Sequence, residues 1–492
     1  MIVLVCALVA ATVSVVLANG RSTAPARLSG ASPASTASTP TKQPNIVVIL
    51  TDDQSHGFMW AMPKTQALIA DKGVTLTNYM IPTSACCPSR ASLLTGQFAH
   101  TTGVWTNEPR YGAWKNYHGN GNEERSLPVW LQDAGYRTGL FGKYLNGYNL
   151  TTAHGVAPSG WNEWVTFSAD GGPTGAYYNY YLSDGTTHGA SIADYSTDAL
   201  ARRANAFIVQ TPVEQPVFVY YAPYAPHAPN TASEKYEGTF AGKTMPSLPT
   251  AHQADVSGMP TWVQRMPRYS PAAQTDAVNA KWASSAETLL SVDDAVASVI
   301  GTLADTGRLE NTLIVYASDN GLMWGAHRLL YKTVPYDGAT RVPAFLRWDG
   351  HLPAGTVDDG VAANVDLTAT IVSAAGLPVS TAGFPLQQAA RRDGVVLESG
   401  PVTAHPAYCG WREKQYLYVR WGTGEEEAYD YATDPFEEVN LAYRDADRAL
   451  TKRLRAAARK ACVPVAPTFA WKSRIPPGTA SAAHPARRAA AR

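Results

Sequence analysis

The plainest hydrophobic pattern in the chain is a set of short, unbroken apolar runs set between amphipathic stretches. Residues 45–50 read NIVVIL, 137–141 RTGLF, 217–221 VFVYY and 312–317 TLIVYA. Runs of this length, rich in β-branched and aromatic residues and lacking polar alternation, suit strands buried on both faces of a parallel sheet. A further short strand is expected from Val74. Between these runs, apolar positions recur at helical spacing over 64–71, 88–94, 127–133, 194–209 and 286–303. Pro88 suits the first turn of its helix. The alternation predicts an α/β fold with a large, mostly parallel central sheet flanked by helices. The pattern changes after about residue 400. Residues 416–421 and 427–431 alternate, and 444–460 has helical spacing. That predicts a small C-terminal subdomain, an antiparallel sheet plus a helix.

The two ends of the chain differ from its middle. Met1–Ala18 is apolar and uncharged and ends in the small-x-small pattern Val16-Leu17-Ala18, as a secretory signal does. No Lys or Arg precedes it, and its length is near the minimum for a bilayer span, so a retained N-terminal anchor is the alternative. Residues 19–43 are rich in Ser, Thr, Ala and Pro, with too little apolar surface to fold. The expected organisation is a signal peptide at 1–18, a disordered linker at 19–43, a catalytic α/β domain at 44–400, a C-terminal subdomain at 401–476 and a disordered tail at 477–492. The protein is expected to be secreted or extracytoplasmic.

Composition narrows the partners. Forty basic residues balance forty acidic ones in a chain of 492. Nothing in that balance points to a nucleic-acid partner or a stable membrane partner. Of the five cysteines, Cys6 lies in the leader. An exported chain can form disulfides. Cys409 and Cys462, both in the C-terminal part, are the pair expected to bridge; two buried thiols are the alternative. Cys86 and Cys87 are adjacent, and vicinal disulfides are rare, so this pair calls for another explanation.

Three polar clusters fall at strand ends: Asp52-Asp53, Asp319-Asn320, and the loop that leads from Ala222 to His227. Ligands of open α/β sheets bind outside the carboxyl ends of the strands, so these clusters should converge. Each acidic cluster alone reads equally as a turn or a helix cap. Together they supply only oxygen ligands, which suits a hard cation such as Ca²⁺ or Mg²⁺. Cys86 stands at a helix start, where free backbone N–H groups attract anions and lower a thiol pKa. Arg90 follows one turn later.

The run Cys86-Cys87-Pro88-Ser89-Arg90 through Thr95-Gly96 resembles the sulfatase signature C-x-P-S-R-x-x-x-x-T-G. NIVVILTDDQ, SDNG, RVPAFLRW and EEEAYDYATDPFEEVNL are similar to further segments of that family, so the resemblance runs from Asn45 to about Leu441. CCPSRASLLTG, GKYLN at 142–146 and YAPHAP around His227 resemble the glucosamine-6-sulfatase and extracellular heparan endosulfatase branch.

The resemblance implies an alkaline-phosphatase-like fold and hydrolysis of a sulfate monoester, either of a sulfated amino sugar or of an aryl sulfate. It implies that a formylglycine-generating enzyme oxidises Cys86, which has Pro at +2 and Arg at +4. Cys87 has Ser at +2, fails that pattern, and is expected to be a small buried filler. Ca²⁺ would be held by Asp52, Asp53, Asp319, Asn320 and the converted Cys86. The hydrated aldehyde would attack sulfur through one hydroxyl, and the second would drive sulfate release. Arg90 would orient the diol, Lys143 and Lys332 would hold sulfuryl oxygens, His227 would serve the leaving group, and His327 would move the proton at residue 86. Surface lysines and loop histidines are the plain alternatives for these four. One departure is that Leu145 and Asn146 stand where arylsulfatases carry a His after Gly-Lys-x, which leaves the general base open. A phosphodiesterase or phosphonate monoester hydrolase of the same superfamily is the competing enzyme reading. A non-catalytic secreted binding protein is the other, and it should have lost Cys86, Arg90 or a metal ligand. The aromatic residues between Tyr144 and Tyr181 read either as sugar-stacking surfaces or as packing.

Overall fold

The first strand, Asn45–Thr51, lies in the middle of an eight-stranded sheet, and all seven of its residues are buried. The computed structural model describes residues 42–151, 153–168, 176–251, 253–267, 271–388 and 391–471, with no side-chain description for 271–275. The expected signal peptide, most of the linker and the C-terminal tail lie outside the described residues.

The sheet runs in the order Thr356–Ala363, Val74–Met80, Ala344–Arg347, Thr312–Ser318, Asn45–Thr51, Val217–Ala222, Arg137–Gly142, Glu163–Thr166. Ala344–Arg347 is antiparallel to both of its neighbours, and every other pairing is parallel. The expected mostly parallel sheet is therefore present. Alternate residues of the first strand serve opposite faces. Ile46, Val48 and Leu50 pack with Leu93, Leu127, Leu131 and Ile371. Val47 and Ile49 pack with Leu200, Phe207, Leu289 and Val296. Helices Cys86–Thr95, Leu127–Asp133 and Asn364–Ala374 thus cover one face, and Ser196–Gln210 and Pro271–Asp305 cover the other. A strand apolar on both sides forms because both sides are covered.

A second sheet is an antiparallel meander of Gly394–Ser399, Tyr408–Glu413, Tyr416–Trp421 and Glu426–Asp430. Helix Arg448–Ala461 packs on it, and Cys409 is bonded to Cys462, the bridge expected from the sequence. Two of its strands escaped the hydrophobic pattern. GVVLES at 394–399 is too short and too uniformly apolar to tell from a loop or helix segment by periodicity. Tyr408–Glu413 is broken by Gly410, whose added Cβ would meet the Tyr418 carbonyl oxygen at 2.7 Å. The long helix runs over 271–305, well beyond the expected 286–303. Several of the aromatic residues after Lys143 turn out to be packing groups. Tyr144, Tyr148, Tyr177 and Tyr180 are all buried, and Tyr144, Tyr148 and Trp164 meet edge to face.

Candidate active site

Four adjacent parallel strands deliver the site. Thr51 is in register with Ser318, and Gly142 with Ala222. The residues that follow, Asp52, Asp319, Lys143 and the loop to His227, are therefore brought to one edge, outside the carboxyl ends of the strands.

Helix Cys86–Thr95 points its N-terminus into that edge, and all ten of its residues are buried. Cys86 is its first residue, two residues earlier than the expected start at Pro88. Gly96 closes the helix in the left-handed region at φ 64°, where an added Cβ would meet Thr381 Cγ2 at 2.7 Å. The thiol of Cys86 lies 3.3 Å from Asp52 Oδ1, 3.9 Å from Asp53 Oδ1 and 2.6 Å from Lys332 Nζ. Arg90, one turn further on, donates from Nε to Asp319 Oδ2 at 2.8 Å and from Nη1 to the Lys143 carbonyl at 2.8 Å. Its Nη2 is buried with no hydrogen-bond partner, 3.9 Å from Asp52 Oδ2. Lys143 pairs with Asp52, and Lys332 with Asp53. His227 Nε2 is 3.6 Å from Asp53 Oδ2, with its ring partly exposed.

Charge in this cluster is held against burial by opposite charge. Burial opposes ionisation of Asp52, yet Lys143, His227 and Arg90 hold its carboxyl well below the usual range. Burial likewise opposes Asp53, and Lys332 and His227 hold it down. Burial, then Asp319 and Asp52, push the Cys86 thiol far above its ordinary value. Burial and these carboxylates thus oppose the lowering of the thiol pKa that a helix start favours.

The donor set fits a hard cation. Asp53 N–H donates to Asp319 Oδ1 at 3.0 Å, and Asn320 Nδ2 donates to Asp53 Oδ1 at 2.6 Å. That leaves Asn320 Oδ1 buried and without a hydrogen-bond partner, an orphaned carbonyl oxygen beside carboxylates. Asp52, Asp53, Cys86 and His227 also form a group able to hold a metal ion, with ligand atoms within 4.8 Å of one another. That group brings a nitrogen and a sulfur, whereas the orphaned oxygen of Asn320 speaks for an all-oxygen set. The buried orphan is the stronger sign, because the partly exposed His227 ring faces bulk water and Asn320 Oδ1 does not.

His327 is not part of this cluster. Its Nδ1 lies 3.0 Å from Gln253 Oε1, its Nε2 lies 3.6 Å from Glu437 Oε2, and its ring lies against Tyr336. The proton role expected of it at residue 86 finds no contact here. His327 and Arg328 both take positive φ, 52° and 66°. Leu145 is buried in the apolar cluster and supplies no base. Cys87 is buried as a filler, with its backbone N–H donating to Asn107 Oδ1 at 2.8 Å. Sequence reasoning missed Tyr224, whose ring lies 5.2 Å from Lys143 Nζ and 4.8 Å from the His227 ring. Its place in the same loop as His227 was the available signal.

The sulfatase family profile matches residues 44–377. This chain belongs to the sulfatase family. It is 35% identical over 349 residues to the extracellular sulfatase SULF-1 homolog of Drosophila melanogaster, which covers 68% of this chain and 30% of that protein. It is 34% identical over 351 residues to N-acetylglucosamine-6-sulfatase of Homo sapiens, which covers 68% of this chain and 62% of that one. This sulfatase-family chain therefore spans less than two thirds of the length of either relative. Its fold is similar to a solved structure in complex with its substrate D-glucosamine-2-N,6-O-disulfate, with a TM-score of 0.73, 21% identity, and 85% and 97% of the two chains covered.

Proposed function

We propose that the chain is a sulfuric ester hydrolase that cleaves sulfate monoesters, of a sulfated amino sugar such as N-acetylglucosamine-6-sulfate or of an aryl sulfate. The observation that carries this reading is the setting of Cys86, a buried helix-start residue ringed by Lys332, Asp52 and Asp53. Burial beside Asp319 and Asp52 disfavours the thiolate form of that side chain. In this reading a formylglycine-generating enzyme converts Cys86 during maturation, and the protein is exported, in keeping with its disulfide. Formylglycine would supply an oxygen nucleophile at position 86, and Ca²⁺, held by Asp52, Asp53, Asp319 and Asn320, a counter-charge for the sulfuryl oxygens.

The chain's own groups do the rest. Arg90, fixed by Asp319 and the Lys143 carbonyl, keeps an N–H edge without a hydrogen-bond partner beside Asp52, and from there orients the nucleophile. Lys143 and Lys332 enter from opposite carboxylates and stabilise charge that grows on the sulfuryl group, which lowers the barrier because the charge is larger in the transition state. His227, partly exposed at the mouth, donates a proton to the leaving oxygen.

The test is mass measurement of the peptide bearing residue 86, with N-acetylglucosamine-6-sulfate and nitrophenyl sulfate hydrolysis measured on the same preparation. A converted residue with sulfate release is the expected result. An unmodified thiol with full turnover rejects the reading.

The His227 ring beside the carboxylates is the one feature that favours the competing enzyme, a phosphonate monoester or phosphodiester hydrolase with a softer metal. Turnover of a phenyl phosphonate ester above that of both sulfates would establish it.

A further inference from the structure

A solvent-facing aromatic platform lies on the short segment that leaves the acidic cluster. Trp60 is 39% exposed, although it is a large aromatic. Trp282 stacks on it at 5.3 Å between ring centroids, and Phe240 meets it edge-on at 4.8 Å. Lys243 Nζ lies 4.7 Å from the centre of the Trp60 ring. Gly57, Trp60, Lys243, Pro246 and Trp282 line a cavity of about 620 Å³, within the range of small-ligand sites. An added Cβ on Gly57 would meet nothing within 4 Å, so the floor is open.

The platform is built in advance. The Phe240 N–H donates to Glu287 Oε1 at 2.8 Å, and the Met245 N–H donates to Asn279 Oδ1 at 2.9 Å. These bonds tie the chain on both sides of Lys243 to the long helix that carries Trp282. Among the described residues, no carboxylate pairs with the Lys243 ammonium, whereas Lys64 and Lys235 both pair with Asp294. A fixed aromatic edge beside a cation without a counter-ion suits a sugar ring with an anionic substituent.

The platform also connects to the reacting centre. Ser55 Oγ accepts from Trp324 Nε1 at 2.8 Å, Phe58 packs on both Trp324 and Trp282 at 5.5 Å, and Trp282 stacks on Trp60. Asp53 and Trp60 are seven residues apart, so the platform lies no more than about 25 Å from the acidic cluster. An oligosaccharide of a few rings can span that distance from an ester held at position 86.

We propose that the Trp60–Trp282–Lys243 platform is a distal subsite that holds a sugar ring and its sulfate or carboxylate on a sulfated oligosaccharide whose terminal ester lies at residue 86. The inference rests on reading the substrate as a sulfated saccharide.

The experiment compares wild type, Trp60→Ala and Lys243→Glu as full-length matured protein. Each is assayed on a heparin-derived hexasaccharide and on N-acetylglucosamine-6-sulfate. Hexasaccharide binding is also titrated calorimetrically in a Cys86→Ser background, where no turnover is needed. Both variants should raise KM for the hexasaccharide about tenfold, as for loss of one ring or charge contact, and leave the monosaccharide constants unchanged. Hexasaccharide affinity should fall by the same factor. Unchanged hexasaccharide affinity in both variants overturns the subsite, as does an equal loss on both substrates. If no sulfate ester is turned over but hexasaccharide binding still depends on Trp60 and Lys243, the hydrolase reading fails and the subsite stands.

Discussion

Arg90 donates to Asp319 at 2.8 Å across 229 positions of sequence, with both side chains fully buried. This one contact joins the helix that begins at Cys86 to the strand end that carries Asp319 and Asn320. Arg90→Ala should therefore do two things. Hydrolysis should slow by about a hundredfold or more, as for removal of one transition-state donor. The unpaired carboxylate should also cost about 3–5 kcal/mol of stability. Arg90→Lys should not restore the rate, because a lysine cannot span Asp319 and the Lys143 carbonyl at once. Turnover and thermal unfolding of the two variants check both effects.

The adjacent cysteines should separate cleanly. Cys86→Ala should keep its fold and release no sulfate. Cys87→Ala should still be converted at residue 86 and should lose only about 1 kcal/mol, because Cys87 is a small group in an apolar cluster. Peptide mass and turnover of the two variants give the answer.

Metal removal should lower both activity and melting temperature, and added Ca²⁺ should restore both. Ligand at a hundredfold excess over its dissociation constant stabilises by about 2.7 kcal/mol. Asp53→Asn and Asn320→Ala should lose that Ca²⁺-dependent shift. A shift produced by Zn²⁺ and not by Ca²⁺ would move the assignment to the set that includes His227 and Cys86.

Glu427 predicts a pH dependence of stability. It is fully buried beneath Tyr336, Tyr429 and Trp421, and burial raises its carboxyl from 4.5 to about 7, against hydrogen bonds from those three residues and the pull of His327. The folded state thus binds a proton that the unfolded state has lost between those two values. This contribution is complete below pH 4.5 and fades as the pH rises through about 7. At about 1.4 kcal/mol per unit it amounts to about 3 kcal/mol. Denaturant melts at pH 5 and pH 7.5 should show a smaller difference for Glu427→Gln than for wild type.

The disulfide closes a loop of 53 residues between the small sheet and its helix. Loop-closure entropy for that span is about 4 kcal/mol. Cys409→Ala/Cys462→Ala should unfold at lower denaturant by a comparable amount, with the unfolding of the helix Arg448–Ala461 followed by hydrogen exchange.

Much of the fold could be read from the chain because buried parallel strands announce themselves. NIVVIL and TLIVYA are apolar on both faces, rich in β-branched residues and followed by polar turn residues, which favours a doubly covered strand over a buried helix segment. The meander was half hidden, since a six-residue apolar run such as GVVLES has no period to distinguish it. His327 shows the limit for the site. Closeness to Lys332 in sequence suggested a shared role, yet His327 meets Gln253 and Glu437 while Lys332 meets Asp53 and Cys86.

The sequence alone determined the local pattern: which cysteine has Pro at +2 and Arg at +4, which residues end the strands, and which helix follows position 86. Those features are encoded within a turn or two of chain, where spacing dictates direction. Only the tertiary structure decided which distant groups meet. Strand order and register bring Asp52, Asp319 and Lys143 to one edge, leave Asn320 Oδ1 without a partner, turn His327 to Glu437 and set Tyr224 between Lys143 and His227. Such meetings depend on the packing of both faces of the sheet at once, and no short window of sequence contains that.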